Sequence, residues 1–119
     1  MALGLNVCSI AECGVNQCGT AILIDVLKGE AYKQPAYYMI THFSKYLPQN
    51  SVRIEHKLSA NMKDLFVLSM KRPDNMSVIV VLNQNNNAIE LTINESNNHN
   101  YIKHEIPGRS IQTYILPKD

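Results

Sequence analysis

Glutamate is the residue type in this chain best suited to acid–base catalysis, and its copies are scattered along the sequence. Two neighbouring carboxyl groups, one held protonated and one ionised, can act as general acid and general base. Here every glutamate after the first falls on a predicted polar face or in a turn, where a solvated surface charge is expected. The glutamates are Glu12, Glu30, Glu55, Glu90, Glu95 and Glu105.

The other ligand-type side chains form no metal-binding pattern. Cys8, Cys13 and Cys18 recur at five-residue spacing, whereas paired zinc ligands lie about two to four residues apart and belong to sets of four. We interpret them as free thiols in an irregular N-terminal segment. No two histidines have the i, i+4 spacing of a helical metal site; they are His42, His56, His99 and His104. We predict no metal site and no cofactor.

The length, net charge and apolar runs of the chain restrict the classes of function that it can have. Its 119 residues correspond to one domain or part of one, and its net charge of +1 gives no reason to expect nucleic-acid binding. The longest wholly apolar run, Val78 to Leu82, is far shorter than the roughly 20 residues of a transmembrane helix. The first residues, MALGLNVCSIAECGV, lack the basic residues that begin a signal peptide, so we predict none there.

The first half of the chain predicts one strand and one helix. The apolar run from Ala21 to Val26 is typical of a strand buried on both faces, as in a parallel sheet. After a polar turn at Lys28-Gly29-Glu30, a helix is expected to begin near Pro35. Pro48 ends it. Its apolar stripe, which we expect to be packed against other elements, is Tyr37, Ile40, Phe43 and Leu47.

After Asn50 the pattern changes to the two-residue period of strands. Six short strands are predicted: SVRIEHKL, LFVLSM, SVIVVL, AIELTI, YIKHEI and SIQTYIL. Turn-forming residues separate them, including the asparagine-rich runs NQNNN and NESNNHN. Short strands at this spacing predict an antiparallel sandwich. Asn75 and Asn94 each begin an N-glycosylation motif in a predicted surface turn, and are candidate glycosylation sites if the chain enters the secretory pathway.

Several blocks then resemble a known family. The stretch YKQPAYYMITHFSKYLPQNSVRI, followed by DLFVLSM, SVIVVLNQ and PGRSIQTYIL, is similar to the end of the glucosylceramidase (acid β-glucosidase) family, glycosyl hydrolase family 30. Thr41 replaces the glycine usual before His-Phe-Ser-Lys. The resemblance implies a mainly β chain, an antiparallel β-sandwich preceded by one βα unit from the end of a (β/α)₈ barrel. The implied domains are an unmatched segment 1–19, a barrel remnant 20–50 and a sandwich 51–119.

The resemblance also implies a function, and it implies that the catalytic glutamates for that function are absent from this chain. Family members are retaining β-glucosidases, and glucosylceramide hydrolysis in sphingolipid metabolism, in the lysosome or outside the cell, is the implied role. Their two catalytic glutamates follow the fourth and seventh barrel strands, and no glutamate here matches either motif. Glu12 is excluded because only eight residues separate it from Ala21, and a parallel crossover needs about a dozen. We therefore expect no catalytic residue, and an inactive chain. Asp25 would line a substrate pocket only in a complete enzyme.

Other interpretations stay open. The chain could be a non-catalytic sandwich module that binds sugar, lipid or a partner hydrolase, or the product of a truncated gene without activity. The tyrosines could stack on sugars, but packing at a barrel–sandwich seam is the preferred interpretation. They are Tyr32, Tyr37, Tyr38, Tyr46, Tyr101 and Tyr114. Because the family completes its sandwich with strands preceding the barrel, we also expect an open sheet edge and self-association through it.

Overall fold

A computed structural model describes residues 8–9, 21–60, 62–94 and 101–117. The chain divides into two compact units, Met1–Ser44 and Lys45–Asp119. Of the residues considered above, Glu12, Cys13, Cys18, Glu95 and His99 lie outside the described residues. No helix in the described part of the chain is long and apolar enough to cross a membrane.

The first unit contains a small sheet and the only helix of the described residues. Strand β2 (Ile22–Asp25) pairs in parallel with β1 (Cys8–Ser9) and antiparallel with β3 (Glu30–Lys33); helix α1 (Pro35–Ser44) follows. The predicted strand is therefore present and half-buried. Strand β3 was not predicted. All four of its residues are exposed, so it lacks the alternation of apolar and polar residues by which a half-buried strand is recognised.

The turn between β2 and β3 depends on two local features. Gly29 has a φ of 67°, a conformation that costs glycine no steric penalty. The side-chain Oδ1 of Asp25 accepts hydrogen bonds from the backbone N–H groups of Leu27, at 3.1 Å, and Lys28, at 3.2 Å. The unit is thus a hairpin followed by a helix, which modifies the expected single βα unit.

Helix α1 begins at the predicted proline but ends before the predicted stripe is complete. None of its residues is buried, and Ile40 and Phe43 are 48% and 42% exposed. We expect the stripe to face the sandwich or the missing barrel, and for these two residues this stays a prediction, whereas Tyr37 and Leu47 are half-buried. Leu47 lies in the turn after the helix, because a residue that precedes proline is disfavoured in helical geometry.

The second unit consists of two antiparallel sheets. The larger has the strand order β4 (Val52–Arg53), β5 (Leu65–Lys71), β6 (Ser77–Asn83) and β9 (Ser110–Leu116). The smaller is a hairpin of β7 (Ile89–Asn94) and β8 (Tyr101–Ile106). This confirms the mainly β, antiparallel prediction, and five of the six predicted strands are present at nearly the predicted positions. The first predicted strand is reduced to the two residues of β4.

The core lies around β6, which has a neighbour on each side. Val78 and Val81 are fully buried and Val80 is 3% exposed. Successive side chains of β6 point to opposite faces, so both faces of this strand are apolar. Leu68 on β5 pairs with Val80 but is half-buried rather than buried as expected, since it belongs to a strand beside the central one.

A buried asparagine joins the turns at one end of the sandwich. Asn83 is fully buried, and its Nδ2 donates hydrogen bonds to the carbonyl oxygens of Asn87 at 3.0 Å, Ile106 at 3.3 Å and Pro107 at 3.0 Å. Its Oδ1 accepts a bond from the backbone N–H of Asn85 at 3.0 Å. The run NQNNN is therefore a structural turn, as predicted, rather than a low-complexity segment.

Candidate functional site

The two glutamates that come nearest to a catalytic arrangement are Glu90 on β7 and Glu105 on β8, which are direct partners across the hairpin. The Cβ atoms of such partners lie about 4.5–5.5 Å apart. That spacing is close to the carboxyl separation of a retaining glycosidase, about 5–5.5 Å. The sequence did not reveal this pair, because the register of the hairpin was unknown.

The surroundings of this pair are unlike those of a catalytic site. Both glutamates are exposed, and the Nζ of Lys103 lies 3.0 Å from Oε1 of Glu90 in an exposed ion pair. A glycosidase holds its sugar in a concave site, but neither glutamate lines either of the two cavities found in the sandwich. Lys103 offsets the repulsion between two like charges that face each other across a sheet. We interpret the pair as surface charges.

The remaining sequence candidates do not converge on a site. The carboxylate of Asp25 already has partners in the β2–β3 turn: its Oδ1 accepts a hydrogen bond from the backbone N–H of Leu27, and Lys28 Nζ lies 3.8 Å from its Oδ2. His42 is half-buried on α1, whereas His56 and His104 lie in the second unit. No group of three His, Cys, Asp or Glu side chains with metal-binding geometry exists within the described ranges.

A chain of polar side chains crosses the space between the two sheets. Nδ1 of His104 on β8 lies 3.1 Å from the hydroxyl of Tyr114 on β9, and the two rings meet edge to face. The Tyr114 hydroxyl donates a 2.5 Å hydrogen bond to Oε1 of Gln112. Burial raises the pKa of Tyr114 above its usual value, because removing the phenolate from water disfavours its charge. His104, Tyr114 and Gln112 thus join the hairpin to the larger sheet.

Beside this chain lies a cavity of about 540 Å³ between the sheets, the sheet cavity. Its floor is the inner face of the larger sheet, where Val67, Ile79 and Val81 contribute apolar side chains. One wall is the residues 91–94 of β7, and the other is the segment 54–58 that follows β4. The cavity is within the usual range of ligand pockets, about 300–1,000 Å³. Of the two cavities described in the sandwich, it is the larger.

The opposite, outer face of the larger sheet is also apolar. By the register and the alternation of side chains, Leu68, Val80 and Leu82 share this face with Phe66 and Ile115. Phe66 is 55% exposed and Ile115 is 40% exposed. A sheet with an apolar outer face in addition to its inner one is typical of a sheet that is covered on both sides.

The two candidate glycosylation sites lie at the surface. Asn75 is exposed in the tight turn between β5 and β6, with a φ of 65° and a backbone hydrogen bond of 3.0 Å to the carbonyl oxygen of Arg72. Asn94 is exposed at the end of β7. Glycosylation at either residue stays a prediction.

Comparison with known proteins gives consistent matches. The model of the glycosyl hydrolase family 30 beta sandwich domain matches residues 50–114. Mouse (Mus musculus) lysosomal acid glucosylceramidase is 35% identical over 100 residues, which cover 84% of this chain and 19% of that protein. The chain thus spans about a fifth of this relative, and the match lies in its C-terminal part.

Solved structures share the fold at low sequence identity. SrfJ from Salmonella typhimurium superposes with a TM-score of 0.78 at 19% identity, covering 88% of this chain and 23% of SrfJ. The endo-beta1,6-glucanase BT3312 gives a TM-score of 0.75 at 21% identity, covering 90% of this chain and 25% of the glucanase. At these identities the likeness shows the fold alone.

Proposed function

Because the chain belongs to glycosyl hydrolase family 30 through its β-sandwich domain, we propose that it is the C-terminal part of a glucosylceramidase-like retaining β-glucosidase. In this proposal the sandwich supports a catalytic domain that lies outside these residues. The complete protein would hydrolyse glucosylceramide in sphingolipid metabolism, and would act in the lysosome, as the name of the mouse relative indicates for that enzyme.

The outer apolar face of the larger sheet is the observation that carries this proposal. On this face Val78 and Val80 are 0% and 3% exposed, whereas Phe66 and Ile115, at opposite corners, are 55% and 40% exposed. The face is therefore apolar and buried at its centre, which is typical of a sheet that is covered on both sides. A sandwich whose inner face packs on its own hairpin, and whose outer face is also apolar, has the character of a domain attached to a second one. This favours a role in which the sandwich supports a second domain over a role as an independent module.

We further propose that this chain alone does not hydrolyse glycosides. The described glutamates Glu30, Glu55, Glu90 and Glu105 are all exposed. The one juxtaposed pair lies on an open face and is partly neutralised by Lys103. A retaining mechanism needs one carboxyl group held protonated and one ionised beside a bound sugar, and an open face provides neither the environment nor the binding.

The alternative of a sugar-binding module finds less support. Such a module would present aromatic side chains together on one exposed face. In the second unit, Tyr101 is 67% exposed on the hairpin and Phe66 is 55% exposed on the larger sheet, so these two rings lie on different sheets. Tyr114, in contrast, is committed to the hydrogen-bonded chain between the sheets.

Activity is tested with the purified chain and a fluorogenic β-glucoside at acidic pH, with the mouse enzyme as positive control. We expect no turnover above the buffer rate. Turnover that is abolished by Glu90→Gln or by Glu105→Gln would contradict the proposal, because it would assign catalysis to the surface pair. Turnover unaffected by both changes would indicate a contaminating hydrolase.

The supporting role is tested in a chimaera, in which residues 50–114 replace the matching domain of the mouse enzyme. We expect measurable glucosylceramide hydrolysis. Phe66→Glu places a charge on the outer apolar face and should reduce activity at least tenfold. The matched change Tyr101→Glu, on the outer face of the hairpin, should leave it within about twofold. Equal losses in the two variants would argue against the outer face as the docking surface.

A further inference from the structure

Polar side chains gather at one end of the floor of the sheet cavity. Ser69 on β5 and Ser77 on β6 both line the cavity, and each is only 3% exposed. Lys71 is the direct partner of Ser77 across the two strands, and its Nζ donates a hydrogen bond of 3.4 Å to the Ser77 hydroxyl oxygen. Because residues two apart on a strand share a face, Ser69 and Lys71 lie on the same inner face. Two hydroxyl groups and one ammonium group thus form a polar corner of the cavity.

The hydroxyl group of Ser69 is the open position in this corner. The backbone carbonyl oxygen of Ser69 accepts a hydrogen bond from the N–H of Ile54 at 3.0 Å. Within the described part of the chain, its side-chain hydroxyl makes no hydrogen bond. Polar groups as buried as this one are nearly always paired, and an unpaired one is destabilising. Ser69 therefore presents a buried donor and acceptor to whatever enters the cavity.

Beyond the polar corner the cavity is apolar. On the same two strands, the next inward-facing residues are Val67, Ile79 and Val81, which form the floor. From the β7 wall, Leu91 and Ile93 border the same space and are half-buried. Ligand sites in proteins are typically apolar, with a few polar groups that fix the orientation of the ligand. An apolar row that ends in a polar corner suits a linear amphiphile, with its tail along the row and its head in the corner.

The charges around the cavity favour an anionic head group. Lys71 is half-buried at the polar corner, and the described floor residues carry no carboxylate. On the wall formed by residues 54–58, Glu55 and Lys57 are exposed and opposite in charge, and the half-buried His56 between them adds no negative charge. A carboxylate in the corner would meet one ammonium group and two hydroxyl groups. Hydrogen bonds that involve ionised groups are about twice as strong as neutral ones.

The size of the cavity limits the length of the tail. A volume of about 540 Å³ holds roughly 18 groups of the size of a water molecule, at about 30 Å³ each, so a carboxylate with about ten carbons fits. Water beside the apolar floor has few polar partners, and its displacement by an apolar chain favours binding.

We propose that the sheet cavity binds a medium-chain aliphatic carboxylate. Its carboxylate group accepts hydrogen bonds from Ser69, Ser77 and Lys71, and its alkyl chain lies along the apolar floor. The Ser69 hydroxyl thereby gains the partner that it lacks among the described residues. This inference does not rest on the proposed glucosidase role, and its test does not use glycoside turnover.

The test uses the full chain and sodium decanoate, with titration calorimetry for affinity and NMR for position. We expect binding and a higher melting temperature, because a ligand that binds only the folded state stabilises it. Nuclear Overhauser effects should connect the decanoate methylene groups with Val67, Ile79 and Val81, but not with Phe66 and Ile115, the exposed apolar residues of the outer face. Equal effects on both faces would overturn the proposal, since they would indicate unspecific adsorption. Absence of binding would overturn it too, since the cavity would then be closed to ligands.

Two variants test the polar corner. Lys71→Met keeps a long side chain but removes the ammonium group, and should weaken decanoate binding about tenfold. Ser69→Ala removes the open hydroxyl and should weaken it about threefold. The matched control is Lys103→Met, because Lys103 is an exposed lysine on the hairpin, paired with Glu90 and outside the cavity. It should leave binding unchanged within about twofold. Equal losses for Lys71→Met and Lys103→Met would overturn the proposal, since only net charge would then matter.

A comparison of ligands keeps the test decisive if Lys71→Met does not fold. Decanol has the same alkyl chain as decanoate but no charge, and should bind the unchanged chain about tenfold more weakly. Butanoate keeps the carboxylate but has too short a chain to cover the floor, and should also bind more weakly. Equal binding of decanol and decanoate would overturn the proposal in favour of an apolar pocket without a carboxylate site.

Discussion

Gly108 packs directly against the main chain of Asn86, so closely that a Cβ atom at position 108 would overlap the Asn86 carbonyl group and lie 3.0 Å from the carbonyl oxygen of Asn85. The contact brings together the turn after β6 and the turn before β9. The neighbouring Arg109 fixes the same two turns, because its backbone N–H donates to the Asn85 carbonyl oxygen at 2.9 Å and its Nε donates to Asn86 Oδ1 at 2.9 Å.

Gly108→Ala is therefore expected to destabilise the sandwich. The added methyl group meets backbone atoms that cannot rotate away, and overpacking of this kind costs about 1–3 kcal/mol. Urea unfolding followed by circular dichroism measures the loss. Asn87→Ala in the same turn is the matched control, since Asn87 contributes only its backbone oxygen to Asn83, and it should change the free energy of unfolding by less than about 0.5 kcal/mol. Equal effects of the two changes would contradict the prediction.

Asn83→Ala should be more damaging than other changes in the asparagine run. It removes the donor shared by the carbonyl oxygens of Asn87, Ile106 and Pro107, and an unsatisfied buried polar group costs about 1–3 kcal/mol. Gln84→Ala serves as control, because the exposed Gln84 makes its described contact through the backbone N–H, to the Asp64 carbonyl oxygen at 2.8 Å. An unchanged unfolding midpoint for Asn83→Ala would show that water replaces the amide.

Leu68 tests the packing of the larger sheet. Leu68→Pro removes a backbone N–H and introduces a ring next to Val80, which a strand flanked on both sides does not tolerate. We expect no cooperative folding of this variant. Because Leu68 is only half-buried, Leu68→Ala should lie near the lower end of the usual range for such truncations, about 2 kcal/mol. Val81→Ala, at a fully buried position, provides the comparison, and both effects are read from thermal melts.

Tyr114 makes the stability of the sandwich sensitive to alkaline pH. Its pKa is raised in the folded state by burial, so folding favours the protonated phenol. The stabilisation that this shift provides is complete below the pKa of an unfolded tyrosine, about 10, and is lost as the pH rises through the higher folded value. Melting temperatures measured from neutral to alkaline pH should fall less steeply for Tyr114→Phe than for the unchanged chain.

The control for Tyr114 is Tyr101→Phe, on the outer face of the hairpin, where the ring is 67% exposed. This change should leave the alkaline slope unchanged. At neutral pH, Tyr114→Phe should itself melt lower, because it removes the hydroxyl that bonds to His104 and Gln112. If the melting temperatures of both variants fall less steeply with pH by the same amount, the effect comes from tyrosine ionisation in the unfolded state rather than from the burial of Tyr114.

Asn75 is expected to carry a glycan when the chain is expressed through a secretory pathway. Its turn is exposed, and Asn75→Gly removes the motif without backbone strain, since glycine accepts the φ of 65°. Endoglycosidase treatment followed by electrophoresis should show one glycan fewer for this variant, with an unchanged melting temperature. A second glycan should disappear with Asn94→Gln. Identical mobility of Asn75→Gly and the unchanged chain would exclude this site.

The strands of the second unit could be predicted from the sequence because their signals are local. Runs such as SVIVVL and SIQTYIL carry β-branched residues between turn-forming residues, and the antiparallel, mainly β class follows from their number and spacing. Strand β3 was missed because its side chains are all exposed. The helix stripe was predicted from its period, but period alone does not determine what covers Ile40 and Phe43.

The relationships that could matter for function were decided only by the tertiary structure. The sequence alone determined where strands β5 to β9 lie and which of their residues alternate, because both depend on neighbouring residues. It did not determine that Glu90 faces Glu105, that His104 meets Tyr114, or that β7 and residues 54–58 border one cavity. These depend on strand register and on sheet packing, which join residues far apart in the chain, and a shift of register by one residue would exchange the two faces of a strand.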